Sequence, residues 1–111
     1  MMDITPEKLK EEIEKGTAMT IVDLQEPRAY THNHIPGAVN VPFENFSELY
    51  PTILKDKDIA IVVVGEFDEL GKGKQAAAML ETAGYTKVGR IVGGLMAWRN
   101  AGFPTESGVE S

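Results

Sequence analysis

Six consecutive apolar residues, Ile59-Ala60-Ile61-Val62-Val63-Val64, constrain this chain more than any other feature. No position in the run turns polar, as expected of a strand covered on both faces, which is the situation in a parallel sheet. Parallel strands need crossover connections, usually helices, so the remaining signals should alternate strand with helix. Thr5-Pro6 reads as an N-cap followed by proline at the first helical position, with Leu9 and Ile13 at helical spacing and Gly16 as the stop. Met19–Leu24 is a compact apolar strand running into a loop at Asp23-Leu24-Gln25-Glu26-Pro27, and a helical turn is expected around Arg28–Thr31. Val39–Val41 reads as a short strand, Phe43–Leu54 as a helix, and Lys72–Ala83 as a helix capped by Gly84. Val88–Val92 reads as a strand, and Gly93-Gly94 turns the chain into a helix over Leu95–Ala101 that Gly102 ends. The pattern predicts an α/β fold with helices on both faces of a mostly parallel sheet.

The length of 111 residues fits a single domain spanning 1–111, with a core over about 3–105 and a polar C-terminal tail at 106–111. Eleven basic against seventeen acidic residues give a formal charge of −6, which argues against nucleic acid and anionic membrane as partners. The apolar run is too short to cross a bilayer, and the amino terminus lacks the pattern of a signal peptide, so a cytoplasmic location is the expectation. There is no cysteine. Disulfides, thiolate metal sites and cysteine nucleophiles are all excluded.

Ligands of parallel α/β sheets bind beyond the carboxyl ends of the strands, which directs attention to the loops Gln25–Gly37 and Gly65–Gly71. Here the residues identify a family. Ile4-Thr5-Pro6, Asp23-Leu24-Gln25-Glu26, Tyr30 and His34-Ile35-Pro36-Gly37-Ala38-Val39-Asn40-Val41-Pro42 resemble the first half of a rhodanese domain. The Ile59–Val64 strand, Ala76–Leu80, Ala83-Gly84-Tyr85, Val88, Gly93-Gly94, Trp98 and Gly102-Phe103-Pro104 resemble the second half. The resemblance implies a three-layer fold around a five-stranded sheet. It also implies sulfurtransferase chemistry, in which a cysteine at the end of the central strand becomes a persulfide within a cradle of backbone N–H groups.

The chain departs from that pattern where the chemistry belongs. The strand end reads Val64-Gly65-Glu66-Phe67-Asp68-Glu69-Leu70-Gly71-Lys72. Counted from the strand, Gly65 takes the cysteine position; counted back from the helix, Phe67 does. Neither is a nucleophile, and Gln25 replaces an arginine usual in the family. Glu66, Asp68 and Glu69 are too few to hold a hard cation such as calcium and read as a solvated acidic loop. Alternatively, Asp68 or Glu69 folds back onto the helix amides and fills the place of an anionic donor. Lys72 and Lys74 are expected to pair with the loop acids.

Other residues invite both a functional and a structural explanation. Asp23 and Glu26 stand at a strand end suited to acid–base work, yet an aspartate there also satisfies loop amides. His32 and His34 are too few ligands for zinc, and His34 is expected to make a structural hydrogen bond. Asn33, where the family has glycine, can tolerate left-handed backbone. Trp98, Leu95 and Met96 read as a helix face packed on the sheet, and Tyr85 as closing a turn. Phe43 and Phe46 lie near the rim, where an exposed apolar patch would suit a protein partner. No metal and no cofactor is implied. The expectation is a catalytically inactive rhodanese-like module that binds an unidentified protein or small ligand in a sulfur-related or signalling context. The alternative is an enzyme that works with a partner's cysteine or through its loop carboxylates.

Overall fold

In a computed structural model that describes residues 1–67 and 71–108, strands and helices alternate along the chain. The elements are β1 (Met2–Ile4), α1 (Pro6–Glu14), β2 (Met19–Asp23), α2 (Pro27–His32), β3 (Val39–Asn40), a 3-10 turn (Phe43–Asn45), α3 (Phe46–Ile53), β4 (Ala60–Val64), α4 (Lys72–Thr82), β5 (Val88–Ile91) and α5 (Gly94–Asn100). The strands form one sheet in the order β1-β5-β4-β2-β3, and every pair is parallel. No helix among the described residues is long and apolar enough to cross a membrane.

The apolar run lies at the centre, as β4. Ile61 and Val63 face one core with Val22, Phe46, Ala77 and Leu80, while Val62 and Val64 face the other with Leu9, Ile35, Leu95 and Trp98. Two-sided burial explains why no position could be polar, and each such side chain contributes about 1.5–3 kcal/mol. At the amino terminus, Thr5 Oγ1 accepts from the Lys8 N–H at 3.1 Å and Pro6 opens α1, as the sequence predicts.

Several elements differ from expectation. The edge strand β1 has three residues and an exposed Met2, too weak a signal to read. It pairs because Gly89 opposite has no side chain: a Cβ there would stand 2.7 Å from Ile4 Cδ1 and 3.1 Å from the Met2 carbonyl. The Phe43–Leu54 helix divides into the 3-10 turn and α3, and Phe46 is fully buried, so the exposed apolar residues of this segment are Leu49 and Ile53 instead. On α5, Leu95 and Trp98 pack inward, but Met96 is 53% exposed and does not belong to the packed face. Asn33 sits in extended backbone at φ −164°, so left-handed tolerance is not what the position demands. Glu106 exchanges backbone hydrogen bonds of 2.9 Å in both directions with His34.

Candidate functional site

The carboxyl ends of β2 and β4 meet in register, Asp23 beside Val64, and this places the two loops singled out above side by side. Beyond β4, the chain is held by α5. The Leu95 and Met96 N–H groups donate to the Gly65 and Glu66 carbonyls at 2.7 and 3.0 Å. This approach depends on Gly94, whose φ is +65° and whose Cβ, if present, would stand 2.6 Å from the Gly65 carbonyl oxygen. In a trans peptide the N–H points opposite to the carbonyl. With both carbonyls turned to α5, the Glu66 and Phe67 N–H groups therefore face away from it. A Cβ on Gly65 would lie 3.6 Å from the Phe67 carbonyl oxygen and 3.9 Å from the Gly73 nitrogen, ordinary contact distances. The strand end thus has room for a Cβ beside the first turn of α4, and glycine stands there.

Gly71, at φ +65°, leads into α4. Lys72 pairs with Glu44 at 3.4 Å and lies over the Phe43 ring at 5.5 Å from its centroid, so among the described residues its ion-pair partner is Glu44. Glu66 is exposed and Phe67 half-buried. Asp68, Glu69 and Leu70 lie outside the described residues, and with them the folded-back carboxylate expected at this site.

On the β2 side, Asp23 is fully buried. Its Oδ1 accepts from the Gln25 backbone N–H at 2.8 Å and its Oδ2 from Gln25 Nε2 at 3.0 Å. Gln25 Nε2 also donates to the Asn33 carbonyl at 3.1 Å, while Asn40 Nδ2 donates to the Asp23 and Gln25 carbonyls. Gln25 is therefore a brace within the fold, not a group presented to a ligand. Burial pushes the Asp23 carboxyl up to about 6, with the Gln25 hydrogen bonds and His34 opposing that rise and Glu66 adding to it. Glu26 precedes α2 and is exposed.

His34 has both ring nitrogens engaged. Nδ1 lies 2.8 Å from the Tyr30 carbonyl and Nε2 lies 3.0 Å from Glu106 Oε2, with the ring stacked on Tyr30 at 3.9 Å. It is structural, as its place in the turn suggested; its partner Glu106 carried no sequence signal. No group of three or more His, Asp or Glu among the described residues is placed to hold a metal ion.

Two hollows flank the loop. One, of about 310 Å³, lies among Gln25, Glu26, Glu44, Gly65, Glu66 and Lys72. The other, of about 600 Å³, lies between α2 and α5 against Gln25, Asn33, Glu66, Met96 and Arg99. An apolar hollow of about 630 Å³, lined by Met2, Leu9, Met19 and Val88, lies under the opposite end of the strands, away from these loops.

The model of the rhodanese-like domain family matches residues 5–101. The chain belongs to that family. Among its relatives, the HTH-type transcriptional regulator Rv0324 of Mycobacterium tuberculosis is 30% identical over 91 residues, a match covering 82% of this chain but only 39% of the regulator. A sulfurtransferase of Allochromatium vinosum is 28% identical over 102 residues, 92% of each chain. The solution structure of the rhodanese-like domain from the Anabaena sp. Alr3790 protein superposes with a TM-score of 0.86 at 35% identity, over all of this chain and 83% of that one. The rhodanese-like assignment accounts for the five-stranded parallel sheet and for the Gly93-Gly94 turn, whose second glycine is the one that lets α5 grip the β4 loop.

Proposed function

We propose that this rhodanese-like domain binds a protein or small ligand and has no sulfur-transfer activity of its own. The observation that carries this reading is the strand end itself: Gly65 occupies the position whose Cβ would stand beside the first turn of α4, and the chain has no cysteine to carry sulfane sulfur. Taking sulfur from thiosulfate requires a thiolate that forms a bond to the sulfane sulfur as sulfite leaves with the electron pair, and no side chain here supplies it. The test is sulfite and thiocyanate formation from thiosulfate and cyanide by the purified protein. The expected rate equals that of buffer; heat-labile turnover above buffer would overturn the reading. Gly65→Cys has room for its Cβ, yet the acidic loop repels anionic donors, so this change alone is expected to leave the rate at the buffer level. Turnover restored by that single substitution would show that the loop geometry is already competent.

A second reading has one observation in its favour. The hollow of about 310 Å³ that Gly65 lines, beside Lys72 at the start of α4, suits a thiolate brought by another molecule. In that case glutathione and thiosulfate together would release sulfite faster with the protein than without it.

A further inference from the structure

His34 is buried, and each of its ring nitrogens is set against an oxygen. Nδ1, 2.8 Å from the Tyr30 carbonyl, donates, because a backbone carbonyl can only accept. Nε2 is 3.0 Å from Glu106 Oε2, an oxygen that also accepts from the Gly37 N–H at 3.3 Å. A neutral imidazole has one N–H; with that proton on Nδ1, the Nε2 lone pair would face a carboxylate lone pair. The pair therefore shares one further proton, which resides on the imidazole, the stronger base of the two. The Tyr30 ring, stacked with its centroid 3.9 Å away, accommodates the resulting cation on its face.

The Glu106 end of this contact belongs to a segment held by polar contacts. Pro104-Thr105-Glu106-Ser107-Gly108 has no large aliphatic or aromatic side chain, and none of its residues is buried. The Pro104 carbonyl accepts from Trp98 Nε1 at 2.8 Å, Glu106 exchanges its backbone hydrogen bonds with His34, and the Gly108 N–H donates to the Thr31 carbonyl at 2.8 Å. With little apolar area to hold the segment, a charge-assisted hydrogen bond, about twice as strong as a neutral one, decides whether it stays. We infer that residues 104–108 form a pH-sensitive strap, held against α2 and the 33–37 turn while His34 carries both ring protons and released when Nε2 loses its own. Release reaches the loop of the candidate site, since Gln25 Nε2 donates to the carbonyl of Asn33, the residue before His34. Titratable groups face His34 from each neighbouring element: Tyr30 from α2, Asp23 from the end of β2 and Glu106 from the strap. Ionised Asp23 and Glu106 attract the imidazolium, while the Tyr30 hydroxyl donates to the Ala38 carbonyl. The inference does not rest on the ligand-binding reading; either result of the sulfurtransferase assay leaves it standing, and its failure leaves that assay's reading untouched.

The test is NMR of the full chain between about pH 5 and about pH 9, which brackets the range in which histidines change charge. Ring nitrogen shifts report each proton of His34, and the exposed His32 serves as the reference in the same spectra. Rising pH is expected to remove the proton from Nε2 and leave the one on Nδ1, and the amide signals of Gly37, Glu106 and Gly108 are expected to move with the same midpoint. Exchange protection of the Glu106 and Gly108 amides, corrected for the intrinsic pH dependence of exchange, is expected to fall about tenfold across that midpoint. Glu106→Gln is the decisive variant: its side-chain amide accepts from the imidazolium and donates to neutral Nε2, so the strap is expected to stay protected up to about pH 9. Glu106→Ala is expected to lose protection throughout. Because the Asp23 carboxyl titrates at about 6, Asp23→Asn separates its effect and is expected to keep the transition. Unchanged signals from β4 and β5 establish that the variants are folded. Protection independent of pH in the unaltered chain, loss of the Nδ1 proton in place of the Nε2 proton, an unaltered transition in Glu106→Gln, or none in Asp23→Asn would each overturn the inference.

Discussion

Gly94→Ala tests the claim that α5 holds the β4 loop in place. The new methyl group would stand 2.6 Å from the Gly65 carbonyl oxygen and 2.9 Å from the Glu66 carbonyl carbon and oxygen, all backbone atoms that no side-chain rotation can relieve. Relief by movement strains or breaks the Leu95 and Met96 hydrogen bonds to those carbonyls, each with a net value of about 0.5–1.5 kcal/mol. Crowding of this kind costs about 1–3 kcal/mol. Placing alanine at φ +65° adds about 1 kcal/mol, partly offset by the smaller entropy of the unfolded chain. The expected loss is about 3–5 kcal/mol, a large share of the 5–15 kcal/mol typical of a domain.

Gly102→Ala is the matched control: its φ is +81°, but a Cβ there meets nothing within 4 Å, so only the backbone term of about 1 kcal/mol remains. Urea unfolding followed by the fluorescence of the single, buried Trp98 measures both. With a slope of about 2 kcal/mol per molar urea, the midpoint should fall by about 2 M for Gly94→Ala and about 0.5 M for Gly102→Ala. Equal losses from the two variants would refute the contact and reduce the Gly93-Gly94 turn to a matter of backbone conformation.

Asp23 predicts a pH dependence. Its carboxyl is raised from 3.8 to about 6 in the folded state, so the native chain binds the extra proton between those values and its stability falls as pH climbs from about 4 to 6. Asp23→Asn should remove up to about 3 kcal/mol of that decline, read as the difference between the two proteins' urea midpoints at each pH; parallel curves would show that Asp23 is ionised throughout. Glu106→Ala takes one partner from His34 Nε2, a buried atom, and is expected to cost about 1–3 kcal/mol by thermal or urea unfolding. An unchanged midpoint would show that the Glu106 carboxylate contributes nothing to holding His34. Tyr85→Phe removes the hydroxyl that donates to the Leu54 carbonyl and is expected to cost about 1 kcal/mol in the same assay, with no change if water replaces it.

The fold was largely legible because its strongest signals are local. The two-sided strand, the Thr5-Pro6 start of α1 and the Gly93-Gly94 turn each depend on residues within one turn or one strand of each other. The candidate site was legible only in part. Gly65 at the strand end follows from counting along the chain, but the inward turn of Gln25 depends on the Asn33 carbonyl eight residues away, and the partner of Lys72 lies 28 residues back, on the 3-10 turn. Met96 and Phe46 depart from expectation because apolar spacing marks a helix face without saying which edge of that face the neighbouring elements cover.

The sequence by itself determined that this chain builds alternating strands and helices around one doubly covered strand, and that no cysteine can perform chemistry at its end. Both are statements about which side chains are present and how they are spaced over short stretches. Only the tertiary structure decided which groups face one another across long separations: Gly89 admitting β1, Glu106 closing on His34 from 72 residues away, and Asn33, Glu66 and Arg99 gathered around one hollow. Such contacts arise from the packing of whole elements, whose angles and offsets follow from the sum of all side chains and from no local pattern.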